Sequence, residues 1–312
     1  MSESAPIELT HVRLGHPDEP RLDAVAREEP LEIRVEGRSV AVVMRTPGHD
    51  EELVAGFLVT EGVVTRARDI LEISQCPSTG NAQGNVVDVL LGGAVVNWDS
   101  LTRHVFSASS CGLCGKTSIE SIFQKFAPLV PNPNQCSVLS SQSSCEASEA
   151  SSTENRALLT EHLSRSPTKA PSPQVPPSLL ASLPAKLRAA QETFSKTGGL
   201  HASGLFDARG ELVVLREDVG RHNALDKVLG YALQRNLLPL SGHILLVSGR
   251  VSFEIMQKAL AGGIPVVAAI SAPSSLAVDF ARESGQTLIG FLRGDAMNVY
   301  SHPERLSSSA GH

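Results

Sequence analysis

The chain has 312 residues, with 27 Lys+Arg against 33 Asp+Glu for a formal charge of −6, 41% hydrophobic residues and 4% aromatics. That length corresponds to about two domains with a sizeable core, while the acidic balance and scarce aromatics exclude a general attraction to nucleic acid or anionic lipid. No apolar stretch approaches the length of a bilayer span, the N-terminus MSESAPIELT lacks a secretion signal, and five cysteines do not form a disulfide framework. The expectation is a cytoplasmic globular protein with neither a nucleic-acid nor a membrane partner.

Residues 1–130 read as a smaller α+β domain. Leu31, Ile33 and Val35 alternate with polar residues, and Val40 to Met44 is an apolar run, so both are expected strands. Thr46-Pro47-Gly48 breaks the chain, and Leu53, Val54, Phe57 and Leu58 then recur with helical spacing. Asp50, Glu51 and Glu52 sit in the first turn of that helix, where acidic side chains meet the positive end of its dipole, and Gly62 is the expected stop. Val86 to Leu91 and Arg103 to Phe106 are further strand candidates.

Residues 131–178 change character. Of these 48 residues 12 are Ser and 7 are Pro, and the segment cannot bury enough apolar surface to offset its ordering entropy. It reads as a disordered insertion, and its Cys136 and Cys145 as thiols without a role.

Residues 179–312 form the larger α/β domain. Leu205–Phe206 and Leu212–Leu215 flank a turn signal at Asp207-Ala208-Arg209-Gly210. Helices near Gly220–Gln234, Phe253–Leu260 and Ser274–Glu283 then alternate with strands Ile244–Val247, Val266–Ile270 and Thr287–Phe291. The alternation implies a mostly parallel sheet with helices on both faces. Ligands of such sheets bind beyond the carboxyl ends of the strands, here at Ser248-Gly249-Arg250, Ser271-Ala272-Pro273 and Leu292-Arg293-Gly294-Asp295. Small residues, available amides and two arginines fit an anionic ligand there, although plain turns would carry the same residues.

Cys111-Gly112-Leu113-Cys114-Gly115-Lys116 is the sharpest chemical signal. Ile119, Ile122, Phe123 and Phe126 follow with helical spacing, which places both thiols on a glycine-rich loop entering a helix. Helix dipole and Lys116 favour thiolate over thiol there. A redox dithiol, half of a zinc site and a persulfide carrier all remain open on these residues, beside a glycine turn without chemistry. His49 and Glu51 mimic part of a zinc deaminase motif, but the CxxC lacks its preceding proline. The second signal is Arg216-Glu217-Asp218-Val219-Gly220-Arg221-His222-Asn223-Ala224-Leu225-Asp226-Lys227, whose crowded charges read as a polar site rather than as surface pairs on a capped helix.

Together these segments resemble the formate dehydrogenase accessory sulfurtransferase family. The likeness rests on Arg45-Thr46-Pro47-Gly48 with Asp50-Glu51-Glu52-Leu53 and Gly56-Phe57-Leu58, and on the CxxC block. It continues through His201-Ala202-x-Gly204-Leu205-Phe206-Asp207, Arg216 to Lys227, Ser248-Gly249-Arg250, Ser271-Ala272-Pro273 and Val299-Tyr300-x-His302-Pro303. It spans nearly the whole chain outside the first twenty or so residues and the insertion.

The resemblance implies a sulfurtransferase that takes sulfane sulfur from a cysteine desulfurase as a persulfide. It passes that sulfur to a bound substrate, the molybdenum bis(molybdopterin guanine dinucleotide) cofactor, which goes on to the catalytic subunit of formate dehydrogenase. Carried over by residue, Cys111 holds the persulfide and Cys114 assists transfer or release. Phe291, Leu292, Arg293, Gly294, Asp295 and Ala296 lie against the cofactor. The resemblance also implies a cytidine-deaminase-like mixed sheet without a structural metal, since neither Arg221-His222-Asn223 nor Ser248 to Glu254 carries the deaminase zinc motif. A homodimer is expected of an acidic α/β chain without charged edge strands. The chain departs from the family in its long insertion and at Ala296, where members often carry a basic residue. Two other classes stand beside this one: a non-catalytic cofactor-binding chaperone and a zinc hydrolase.

Overall fold

The computed structural model describes residues 2–76, 84–93, 96, 98–101, 128–129 and 173–306. Strands β1 (Ser4–His11) and β2 (Glu19–Ala26) form an antiparallel hairpin ribbon. Strands β3 (Glu29–Val35), β4 (Arg38–Arg45), β5 (Ile70–Gln75) and β6 (Val86–Leu91) form a sheet in the order β4-β3-β6-β5, with β3 and β6 parallel. Helix α1 (Asp50–Thr60) lies between β4 and β5, and the short α2 (Trp98–Leu101) follows β6. After α3 (Pro177–Ala190) and α4 (Glu192–Thr197), a six-stranded sheet takes the order β12-β11-β10-β9-β7-β8. Its strands are β7 (His201–Phe206), β8 (Leu212–Asp218), β9 (Ile244–Val247), β10 (Val266–Ala269), β11 (Thr287–Arg293) and β12 (Ala296–Ser301). Helices α5 (Arg221–Gln234), α6 (Phe253–Ala261) and α7 (Ser275–Ser284) connect them.

Every residue of β9 and β10 is buried, as expected of strands covered on both faces. Side chains alternate between two cores. Leu245, Val247 and Val267 pack with Leu225, Val228, Met256 and Phe280 of α5, α6 and α7. Ile244, Leu246 and Val266 pack with Leu180, Leu183 and Leu187 of α3 on the opposite face. The sheet is mixed rather than mostly parallel: β9, β10 and β11 run parallel, but β7 and β12 pair antiparallel with their neighbours. The hairpin of β7 and β8 reverses direction before the helix–strand alternation begins, which is why the alternation alone overstates parallel pairing.

A third core joins β3, β4 and β6 to α1 and reaches Leu233 of α5. Helix α1 is buried on every residue but Glu51, as a helix sandwiched between layers must be. Its contact with α5 is unusually close because two glycines face it. A Cβ on Gly56 would stand 1.8 Å from the Asp226 carbonyl oxygen, and a Cβ on Gly230 would stand 1.8 Å from that of Glu52. The layers therefore run from the N-terminal sheet through α1 and α5 to the six-stranded sheet and α3.

Polar groups fix the edges of this stack. Arg45 is fully buried and holds Asp50 through paired bonds of 2.9 and 3.0 Å, with Glu29 and Asn85 also in reach. Glu52 pairs with Arg216 at 2.5 and 2.8 Å. Lys227 and Asp218 form a buried ion pair at 2.7 Å, and Lys227 Nζ also donates to the Thr46 carbonyl at 2.9 Å. Asp218 further accepts from the Thr46 and Gly220 amides and from Asn223 Nδ2.

The predicted strands β3, β4, β6 and β9 and helices α1 and α5–α7 stand where their periodicity puts them. Strands β1, β2, β5 and β12 were not expected. Ile7, Leu22 and Leu71 are exposed in them, so no alternation marks a buried face. The Ser/Pro-rich segment lies outside the described residues up to 172. Beyond it Val175 is bridged to Leu306 and α3 starts at Pro177. The strand candidate Arg103 to Phe106 and the helix after the CxxC lie outside the described residues.

Gly56→Ala forces backbone apart and is expected to cost on the order of 3 kcal/mol or more. Gly242→Ala, where an added Cβ meets nothing within 4 Å, is the near-neutral control in the same urea denaturation series. Lys227→Met strands a buried carboxylate and is expected to cost about 3–5 kcal/mol, part of which the Asp218→Asn, Lys227→Met double variant recovers.

Candidate functional site

The carboxyl ends of β9 and β10 open on one cleft of ≈ 640 Å³. Because β7 runs antiparallel to β9, its first residue, His201, arrives at the same edge. Ser248 locks the loop after β9 to β7: its Oγ accepts from the Ala202 amide at 2.9 Å and its own amide donates to the Ala202 carbonyl at 2.9 Å. Gly249 lets that loop pass His201, since a Cβ there would stand 3.1 Å from the imidazole Nδ1. Ile270 and Ser271 after β10 close one side, and Arg188, Gln191 and Phe194 of the α3–α4 junction close the other.

Three arginines, Arg188, Arg221 and Arg250, line this cleft together with His201, and no carboxylate is among its lining residues. Arg221 sits at the start of α5, whose first residues no side chain caps, and its Nε is buried without a partner among the described residues. Guanidinium groups and uncapped amides at a helix start make an anion site. Burial lowers the His201 pKa below the ordinary histidine value, and the charges of Arg221 and Arg250 add to the effect while Asp218 opposes it. His201 is therefore neutral at neutral pH, facing cations.

The segment Phe291 to Ala296 forms the hairpin of β11 and β12 and lies beside the cleft rather than in its lining. It is tied there: the Phe291 amide donates to the Ser271 carbonyl at 3.1 Å, and Arg293 Nε donates to the Ile270 carbonyl at 3.1 Å. Phe291 takes a left-handed φ of 53° with its ring part-exposed, and Gly294 a φ of 56°. Arg293, Asp295 and Ala296 are exposed, but the Leu292 side chain is buried in the core shared with α3. Only the Leu292 backbone is left for contact, because strand alternation turns its side chain inward.

The block Arg216 to Lys227 does not form one polar site. Arg216, Asp218, Asn223 and Lys227 hold the layers together as described, and Asp226 accepts from Lys258 at 2.8 Å and from Thr60 at 3.2 Å. Arg221 alone of the block lines the cleft. His222 turns to Glu254 of α6, with Nε2 and Oε2 2.7 Å apart, and to Ser252 Oγ at 3.3 Å. Burial would raise the Glu254 carboxyl, but the bond with His222 and the nearby Arg221 and Lys258 outweigh it and hold the pKa low. His49 is the N-cap of α1, 3.5 Å from Glu52. Among the described residues no three His, Cys, Asp or Glu side chains gather as a metal site. Cys111 and Cys114 lie outside the described residues.

The model of the FdhD/NarQ family matches residues 26–157 and 134–307. The chain belongs to the FdhD/NarQ family. It is 48% identical over 294 residues to the sulfur carrier protein FdhD of Streptomyces avermitilis, covering 93% of this chain and 91% of that one. The protein of the same description from Mycobacterium tuberculosis is 46% identical over 296 residues, covering 92% and 93%, and that of Thermoplasma volcanium 39% identical over 289, covering 91% and 89%. A solved structure from Desulfotalea psychrophila, of a protein described as a formate dehydrogenase accessory protein, superposes with a TM-score of 0.68 at 24% identity, covering 98% of this chain and all of that one. That likeness carries the fold, the mixed α/β architecture described above.

Within this family member, sequence reasoning located the loops after β9 and β10 but missed Arg188, Gln191 and Phe194. They sit at a break between two helices, away from any strand end, and only the tertiary fold brings them to the cleft. Gly198-Gly199, which line the same wall, were the available local signal of a close backbone approach.

Protonating His201 adds a fourth cation to the cleft. Its lowered pKa means that it takes up a proton only below the ordinary value of 6.5, and a bound polyanion pulls that pKa upward. Pyrophosphate affinity is therefore expected to rise as pH falls from 7.5 to 5.5, and His201→Asn to flatten the dependence, measured by calorimetric titration.

Proposed function

We infer that this chain is a sulfur carrier in formate dehydrogenase maturation, with persulfide chemistry at Cys111 and an anionic acceptor in the strand-end cleft. One observation carries the reading: a family member whose relatives are named sulfur carriers presents a three-arginine cleft without a carboxylate. Guanidinium groups in that number suit the pyrophosphates of a dinucleotide substrate. The molybdenum bis(molybdopterin guanine dinucleotide) cofactor is the proposed acceptor. The hairpin Phe291 to Ala296 is placed at its flank, and the finished cofactor passes to the formate dehydrogenase catalytic subunit.

The Cys111 thiolate attacks the outer sulfur of a persulfide on a cysteine desulfurase, the donor S–S bond breaks, and the donor leaves as thiolate. Cys114 thiolate then attacks Cys111 Sγ, displacing the terminal sulfur as sulfide to the acceptor. The two electrons that reduce that sulfur come from the cysteines, which end as a disulfide that an external thiol must reduce. The positive charge of Lys116, two positions from Cys114 in sequence, favours the required thiolates.

The test is intact-mass and peptide mapping after incubation with a cysteine desulfurase and cysteine. The Cys111 peptide is expected to gain one sulfur that Cys111→Ser abolishes, together with the ability to activate formate dehydrogenase. If Cys111→Ser supports full activation while Arg293→Ala abolishes it, the chain is a cofactor chaperone and the carrier reading fails.

A further inference from the structure

The β1–β2 ribbon belongs to neither of the larger sheets, and α4 is the element that packs on it. A two-stranded ribbon is marginal by itself, and its Ile7 and Leu22 side chains stay exposed, so the contacts that fasten it lie at its base. There Glu3 accepts from the Thr193 hydroxyl, and the Arg27 amide donates to the Glu3 carbonyl at 2.9 Å. The Glu3 carboxylate also lies over the turn into α1, since a Cβ on Gly48 would stand 3.3 Å from its Oε1. Ala26 meets Gly199, where an added Cβ would stand 3.4 Å from the alanine methyl.

The ribbon thus rests on the stretch of chain that supplies Phe194, Gly198 and Gly199 to the cleft. A second carboxylate holds the same stretch: Glu217 of β8 accepts from the Thr193 amide at 2.9 Å and from the Phe194 amide at 2.8 Å. Thr193 is therefore gripped by two acids, Glu3 on its hydroxyl and Glu217 on its amide, which brings like charges together around one residue. Burial pushes the Glu217 carboxyl above the usual glutamate value and the Glu3 charge adds to this, while the Thr193 and Phe194 amides and Arg188 of α3 oppose it. Glu3 is faced in turn by His49, which stands among Arg216, Glu52 and Lys227.

We propose that the ribbon is a proton-fastened strap on the cleft wall: seating it on α4 takes up a proton at the Glu3–Glu217 pair, and ionisation of both acids loosens it. When the ribbon lifts, Glu217 loses the Glu3 charge and part of its cover, so its carboxyl returns toward the ordinary value. The seated form then binds more protons than the lifted one, and seating strengthens as pH falls. The proton belongs to the pair, since the two acids titrate together around Thr193.

The experiment is hydrogen exchange of the full chain, read by mass on peptides covering 3–11 and 191–199 at pH 7.5 and 5.5 and corrected for intrinsic exchange rates. Strand β9 is the reference for an intact fold in every variant. Wild-type protection of both peptides is expected to rise about threefold at the lower pH, the scale of one part-exposed charge contact. Glu3→Gln keeps an acceptor for Thr193 without the charge, and is expected to show the higher protection at both pH values. Glu3→Ala loses the bond and is expected to show the lower protection at both. His49 faces the same carboxylate, so His49→Asn, a residue that suits its left-handed φ of 57°, is expected to keep the wild-type dependence. Wild-type protection that ignores pH overturns the proposal. So does a pH response that survives in Glu3→Gln, or one that vanishes in His49→Asn and thereby belongs to the histidine.

Discussion

Helices α1 and α5 touch backbone to backbone, and most of the molecule is arranged around that contact. Gly56 and Gly230 sit one turn from Glu52 and Asp226, whose carbonyls each occupy the space a side chain would need. Close approach brings the helix flanks within reach of charged side chains from both sheets. Their ion pairs then fix rotation and register where apolar packing alone is tolerant. The N-terminal sheet is thereby held to the rest of the fold through α1, sharing a core that reaches Leu233 of α5.

That arrangement separates two jobs within one charged stretch. Arg216, Asp218, Asn223, Asp226 and Lys227 are consumed in holding layers, each with a partner from a distant part of the chain. Arg221 sits on the turn between them and is left with a buried Nε that no described residue answers. Stability and ligand contact thus come from neighbouring residues facing opposite ways.

The six-stranded sheet was largely legible because its central strands are apolar on both faces and bounded by glycine and proline turns. Strands β1 and β2 were not, because a two-stranded ribbon exposing Ile7 and Leu22 leaves no period to read. The cleft was half legible. Strand-end loops announce themselves by position, so Ser248, Gly249, Arg250 and Ser271 could be named. Gln191, with its neighbours Arg188 and Phe194, could not, since nothing in a helix–helix break points to a sheet edge. The block from Arg216 to Lys227 misled for a related reason: adjacent charges look like a site until their partners, more than 150 positions away in several cases, are known.

Strand β8 ends in three consecutive residues that each hold a different element. Arg216 reaches α1 through Glu52, Glu217 fixes the α3–α4 junction, and Asp218 binds Thr46 and Lys227. Strand alternation sends neighbouring side chains to opposite faces, so this edge strand works as a crossbar between the helical clamp and the cleft wall. The bonds that tie α1 to the larger sheet and those that tie the α3–α4 junction to it thus start from adjacent residues of one strand. One strand end, through a guanidinium and two carboxylates, therefore bonds both the N-terminal layer and the wall of the cleft.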